Sequence, residues 1–418
     1  MMIAGRTVQG LVAQFGSPLY VIDEADFRSR ARGFVTAFPG WEIFYAGKSF
    51  LCKAVVRWID EEGLNLDVCS GNELAVALAA GLAPSRIGLH GNNKSVEELT
   101  AAIDAGVGRI IVDSFEEIDR IEALAAARDV IVTVLVRVTT GVTAHTHEYI
   151  ATSHEDQKFG FSIAGGQALQ ALLACHRQPH IGLAGIHFHI GSQIFQTEPY
   201  AEAVRRAAEL VHRFRAATGV ELTELDLGGG YGIAYTAQDQ PLELGRIAHD
   251  LTQAVEAART EFGLGPFRLS IEPGRAICGP AGVALYTVGT IKPVETGQGQ
   301  RVYVSVDGGM SDNIRTALYQ ADYTAVLANR SSTADPFLSR VVGKHCESGD
   351  ILVHDVYLPA DLRVGDILAV PGAGAYARAL ASNYNYSVRP AVVAVSPNRA
   401  WPILRRETLA DLLALDVG

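Results

Sequence analysis

Eight short apolar runs alternate with longer amphipathic, alanine-rich stretches between residues 43 and 272. No other feature of this 418-residue chain narrows its fold as far. The runs are Ile43–Ala46, Asn65–Cys69, Ile87–His90, Arg109–Asp113, Val130–Val138, Leu183–Ile190, Leu222–Leu227 and Phe267–Glu272. Helical spacing of apolar residues fills the gaps over Lys53–Glu62, Asn72–Ala80, Ser95–Ala105, Phe115–Ala127, Gly166–Cys175, Tyr200–Ala217 and Arg246–Phe262. Ser95 with Glu98 has the spacing of a capping box. Strands that alternate with helices pair in parallel, and eight of them in succession predict an α/β fold, a (β/α)8 barrel of the TIM type.

After Pro280 the pattern becomes β-rich with Gly, Pro and Asp punctuation, over Val283–Pro293, Arg301–Asp307, Arg340–Lys344, Ile351–Leu358, Asp366–Val370 and Ala391–Val395. This predicts a second, mostly antiparallel β domain, with short helices at Asn313–Leu318 and Glu407–Leu415. The expected division is a barrel over 26–280, and a β-rich domain over 281–418 joined by residues 1–25 and their strand-like Pro18–Ile22. Residues 296–300 read as a hairpin loop and Ala328–Asp335 as a flexible surface segment.

An excess of 46 acidic over 35 basic side chains, net −11, argues against nucleic acid or an anionic membrane as partner. Any anionic ligand must then be held by local arginines and backbone dipoles. Five cysteines without CxxC spacing fit a reducing compartment better than a disulfide framework or structural zinc. The N-terminal residues lack the basic and apolar regions of a signal peptide, and no run reaches the ~20 apolar residues that span a bilayer. The expectation is a cytoplasmic protein.

The residues that could carry chemistry sit at the ends of the apolar runs. Gly228, Gly229 and Gly230 follow Leu225–Leu227, and consecutive glycines let backbone N–H groups converge on a phosphate. Glu272-Pro273-Gly274-Arg275 follows Leu269–Ile271, the last run. Loops after the last two strands are where such barrels bind phosphate. A glutamate there must face a cationic part of the ligand. Lys48 follows the first run and could form a Schiff base with a carbonyl, or be a plain surface lysine.

His187 and His189 share a face, followed by Gly191 and Ser192. They could be metal ligands, a plate stacked on a ring, or satisfied core histidines; the ring role ranks above metal, for want of an obvious third ligand. Asp67 and Arg137, charges expected inside the barrel, could pair with each other or orient Lys48 and a cofactor. Cys346 and Glu347 lie in the reactive segment 342–350, whose bland reading is a polar turn. Arg315 and Tyr319, four apart, are expected on one helix face suited to a carboxylate, with a solvated pair as the alternative. Tyr376 stands on a glycine-rich loop. His145, His147 and His154 are read as part of a polar lid after the fifth strand.

These motifs together resemble the alanine-racemase-like class of pyridoxal-phosphate enzymes, the fold type III decarboxylases, and within it the diaminopimelate decarboxylase family. The resemblance rests on YAGK (45–48), HIGSQ (189–193), DLGGGYGI (226–233), EPGRAI (272–277), DGGMSDNIRTALY (307–319), KHCESGD (344–350) and GAY (374–376). It implies that Lys48 bonds the cofactor, pyridoxal 5'-phosphate, and that His189 stacks on its ring. Glu272 then meets the ring nitrogen. Ser192, Gly228, Gly229, Gly230, Gly274 and Arg275 line the phosphate, and Asp67 and Tyr376 sit around the cofactor.

The resemblance further implies that Cys346 supplies a proton. Arg275, Arg315 and Tyr319 would hold the retained carboxylate, and Glu347 the distal amine. It implies a homodimer with shared sites, and meso-2,6-diaminopimelate converted to L-lysine and CO2. A related decarboxylase of another basic or diamino acid is the alternative. One departure is visible: Ser49-Phe50 follow the lysine where many relatives have Ala-Asn.

Overall fold

A computed structural model describes residues 1–142, 158–297 and 299–418. Eight parallel strands close on themselves: Glu42–Ala46, Asn65–Val68, Ile87–Leu89, Arg109–Val112, Val132–Thr139, Ile181–Phe188, Glu224–Asp226 and Arg268–Ile271. Closure comes from Arg268–Ile271 pairing with Glu42–Ala46, so the expected TIM-type barrel is what forms. The strands agree with the apolar runs to within two residues at nearly every end. They are buried because helices cover them, and Arg109–Val112 is buried at every position.

The covering helices start where serine side chains satisfy exposed N–H groups. Ser70 accepts from Glu73 N–H, Ser114 accepts from Glu117 N–H, and Ser95 with Glu98 completes a full capping box. Inside the barrel, at the opposite end from the candidate site, Arg109 lies over Phe44 at 4.1 Å and faces Glu224 at 3.5 Å and Asp226 at 3.7 Å. Clustered acids around one guanidinium let the interior carry charge without leaving it unpartnered.

The β-rich part forms a second sheet. Its order is Ile351–Pro359, Pro336–Val342, Gly299–Val306, Gly282–Thr296, Leu19–Asp23, Ala391–Val395 and Ala400–Leu404. Most pairs are antiparallel; Leu19–Asp23 with Ala391–Val395, and Gly299–Val306 with Pro336–Val342, are parallel. Its core gathers Leu19, Val21, Leu285, Ile367, Ala369, Val393 and Val395, against which Val8 and Leu11 of the helix Val8–Phe15 pack. By internal contacts one unit comprises Ala31–Gly232 with Pro241–Gly274, and the other Met1–Arg30, Ile233–Gln240 and Arg275–Gly418.

Some local features differ from the expectation or go beyond it. The helices Val8–Phe15 and Glu24–Ala37 and the strand Ala400–Leu404 have no counterpart in the sequence reading. Segment 328–335 is not a loose surface stretch: Ala328 is fully buried, and Arg330 holds Asp361 and Asp366, each at 2.8 Å. The lid histidines His145, His147 and His154 lie outside the described residues. Gly282–Thr296 and Gly299–Val306 pair antiparallel, with Thr296 opposite Gly299, where the hairpin is expected. No helix among the described residues is long and apolar enough to cross a membrane.

Candidate active site

A cavity of about 720 Å³ opens where the barrel strands end, lined by Lys48, Asp67, His90, Arg137, His187, His189, Ser192 and Glu272, among others. Parallel strands deliver their last residues to one rim, so positions far apart in sequence meet there. Lys48 lies in the turn Gly47–Ser49, directly after Glu42–Ala46, and its side chain is exposed. The turn is pinned from beneath: the buried Ser49 hydroxyl donates to Ala46 O at 2.8 Å, and the Tyr45 hydroxyl to Phe50 O at 2.8 Å. The departure at Ser49-Phe50 therefore serves to hold the lysine's turn.

The glycine loop is shaped by contacts that leave no room for side chains. A Cβ on Gly228 would lie 2.5 Å from Phe188 O, one on Gly229 2.1 Å from Glu272 O, and one on Gly230 2.4 Å from Gly191 O. Gly228 and Gly230 also have φ of +66° and +116°, where other residues are strained. The loop's carbonyls turn toward protein donors: Gly228 O accepts Glu272 N–H at 2.9 Å, Gly229 O the Tyr200 hydroxyl at 2.8 Å, and Gly230 O Ile194 N–H at 2.9 Å. Gly228 N–H donates to Asp226 Oδ1 at 2.9 Å, so the face offered to an anion is that of the Gly229 and Gly230 amides. Gly229→Ala should therefore displace the loop, costing about 1–3 kcal/mol of stability. It should also weaken pyridoxal-phosphate uptake, which a paired thermal melt and absorbance titration would read; unchanged values in both would contradict the packing argument.

Around Glu272 the charges are tightly arranged. Its Oε1 lies 3.0 Å from His187 Nε2 and 3.2 Å from His90 Nε2, and the same His90 nitrogen lies 3.2 Å from Asp67 Oδ1. Burial alone would raise Glu272, but His187 and His90 outweigh it and hold the carboxylate well below its ordinary range. Burial, reinforced by the Glu272 charge, pushes Asp67 up to about 7. His90 is held up at about 9, because Glu272 and Asp67 overcome the opposing effect of burial. His189 is pushed well below its usual value by burial and then by Lys48, leaving a neutral ring suited to stacking.

Sequence reading had left Asp67 and Arg137 as possible partners of each other; Asp67 instead faces His90, and Arg137 faces Asp113 at 3.9 Å. It also found no third ligand near His187. The fold supplies one, since His90, His187 and Glu272 bring ligand atoms within 4.8 Å of one another. His90 was missed altogether. A histidine closing a strand looks like a core residue, and the one available signal was its place at a strand end, as for His189.

The other unit gathers a second group. The Arg275 guanidinium donates to the Tyr235 hydroxyl at 2.5 Å and lies 4.7 Å from the Tyr376 ring. Arg315, buried at 5% exposure, donates to the Tyr323 hydroxyl and lies 4.7 Å from the same Tyr235 ring. Tyr376 holds a φ of +61°, a strained conformation for a non-glycine residue.

Tyr319 does not share Arg315's surroundings: it is 61% exposed, because the helix Arg315–Tyr319 is one turn long and its first and last residues face differently. Cys346 and Glu347 are exposed on a turn fixed from behind. Asp350 accepts the N–H groups of Met310 at 2.6 Å and His345 at 2.8 Å, and His345 Nε2 meets Ser311 Oγ at 2.8 Å.

Residues 24–279 match the family model of the pyridoxal-binding domain of pyridoxal-dependent decarboxylases. Diaminopimelate decarboxylase of Mycobacterium tuberculosis is 52% identical, the alignment covering 99% of this chain and 94% of that one. This chain belongs to the diaminopimelate decarboxylase family. Two solved members of that family superpose closely. The M. jannaschii enzyme in complex with L-lysine has a TM-score of 0.92 at 31% identity, covering 100% of this chain and 96% of its own. The Helicobacter pylori enzyme, also with L-lysine, has a TM-score of 0.86 at 30% identity, covering 97% and 98%.

The residues fit the cofactor of the family. The glycine loop leaves an amide face for phosphate, and the buried Glu272 Oε1 has no well-aligned hydrogen-bond donor despite its two close histidines. A cationic ring nitrogen suits that acid.

Proposed function

We propose that this member of the diaminopimelate decarboxylase family converts meso-2,6-diaminopimelate to L-lysine and CO2, the last step of lysine biosynthesis, as a cytoplasmic homodimer. The observation that supports this most is the joint presence of Lys48, His189 and Glu272 in one cavity beside the glycine loop. None of the five cysteines is in a disulfide, as suits a reducing compartment.

Bound pyridoxal phosphate supplies an electron sink for the breaking carbon–carboxylate bond. Lys48 Nζ would be the group that holds the cofactor covalently. His189 offers a neutral plate for the ring, Glu272 the anion for its nitrogen, and Gly228–Gly230, Ser192, Gly274 and Arg275 the phosphate contacts. Asp67 and Tyr376 complete the cofactor's surroundings. Arg275, Arg315 and Tyr319 orient the carboxylate that stays, which fixes the torsion of the bond that breaks. Cys346 Sγ would supply the proton that takes the place of the lost CO2, and Glu347 would meet the distal amine. The exposed, rigidly backed turn of Cys346 and Glu347 suits service to a second copy's site.

Arg315→Ala should raise KM for diaminopimelate by about tenfold to a hundredfold, the loss of one charge-assisted pairing, with cofactor absorbance unchanged. Arg315→Lys should recover only part, because a point charge cannot reproduce the planar fork. A KM unaffected in both variants would remove Arg315 from substrate recognition.

A further inference from the structure

His90 lines the cavity and has no part in the functions assigned so far. His90 Nε2 lies 3.2 Å from Asp67 Oδ1 and 3.2 Å from Glu272 Oε1, equidistant between two acids. All three residues line the cavity, and the His90 and His187 rings meet edge to face at 5.1 Å. Glu272 Oε1 thus has an imidazole nitrogen close by on two sides, whereas Asp67 Oδ1 has one.

We infer that His90 is a positioning residue: by standing between Asp67 and Glu272, it draws the Glu272 carboxylate against the cavity wall and makes Glu272 the acid that faces the cofactor ring. The inference rests on the cofactor reading given above. Two carboxylates converging on one site cannot both stay ionised without cost, so an imidazole cation between them decides which one does. Glu272 has His187 as a second partner at 3.0 Å, whereas burial and the Glu272 charge both oppose ionisation of Asp67. The division of labour is set by geometry. The other titratable and charged groups that bear on Glu272 are Asp226, Arg137, His189, Cys69 and Tyr231; on His90, Glu73 bears as well.

The test uses the full-length apoprotein titrated with pyridoxal phosphate, read by absorbance across pH 6 to 10. His90→Ala should weaken binding by about tenfold, the loss of one charge-assisted contact, and abolish the alkaline decline that follows the imidazole. His90→Gln, whose amide can donate to both acids, should recover much of the affinity while losing the pH dependence. In a Glu272→Gln background, His90→Ala should add nearly nothing, because it acts through Glu272. Nitrogen chemical shifts of the imidazole in the apoprotein should show a cation persisting toward about pH 9.

Wild-type affinity and pH profile in His90→Ala would overturn the inference, as would full additivity with Glu272→Gln. If the wild-type protein takes up no pyridoxal phosphate, the cofactor reading and this inference fall together. If it does and His90→Ala matches it, only the inference falls.

Discussion

Lys48→Ala should yield a folded protein that no longer decarboxylates diaminopimelate, with a rate loss on the order of 10⁴ or more, as when a covalent group is deleted from a site that acts as a unit. The fold should survive because the side chain is exposed and its turn is held by Ser49 and Tyr45. Two further readouts separate a chemical loss from a binding loss. Borohydride should fix the cofactor to the wild-type chain at Lys48 and leave the variant unlabelled. The variant should still bind pyridoxal phosphate non-covalently, because the glycine loop and Glu272 are untouched. Substantial residual turnover in a well-folded Lys48→Ala protein would show that another amine anchors the cofactor.

Glu272→Gln is the second large effect, and it acts on activity and stability together. The substitution keeps the shape of the side chain and removes the anion that His187 and His90 both face, at 3.0 and 3.2 Å. Losing one partner of a buried, paired cluster costs about 3 kcal/mol or more, because the remaining charges are stranded. Activity should fall by roughly 10²–10³, the scale for deleting a preorganised electrostatic partner.

The pH dependence of the stability gap has a defined sign. Glu272 lies below its unfolded value, so its contribution is present above the ordinary carboxylate range and is lost as pH falls through the folded value. His90 lies above its unfolded value of about 6.5, so its contribution is complete below that pH and is lost as pH rises through about 9. Asp67, raised to about 7 partly by the Glu272 charge, makes the wild-type cluster costlier as pH rises from about 4 to 7 and adds nothing further above that, which narrows the gap in the same direction. Thermal melts should therefore differ most between about pH 5 and 6.5, and converge toward pH 10. A gap that widened above pH 9 would contradict the assigned charges.

Much of this was legible in the sequence because both barrel signals are local. A buried parallel strand is a short apolar run, and a covering helix announces itself through caps such as Ser95 with Glu98. The first-rim residues follow from strand ends, so Lys48, His189, the glycine loop and Glu272 could be named without coordinates.

What stayed hidden depends on pairings across long separations. His90 gains meaning only through Asp67 and Glu272, and Tyr235 and Tyr323 only through Arg275 and Arg315. Arg315 and Tyr319 show the limit of periodicity: four-residue spacing predicts one face in a long helix, but a single turn lets one residue be buried and the other exposed. The helix Arg275–Ala281 was hidden for a different reason, since it is seven residues long and holds Pro280.

The central claim is a cofactor-dependent decarboxylation whose selectivity comes from a retained carboxylate. The most direct test is CO2 release by the pyridoxal-phosphate-loaded protein from meso-, LL- and DD-diaminopimelate and from ornithine, with the amine product identified in each case. The account predicts CO2 and L-lysine from the meso compound and negligible release from ornithine, whose missing carboxylate leaves Arg275 and Arg315 without a ligand. Equal release from ornithine, or none from meso-diaminopimelate by a fully loaded protein, would contradict it.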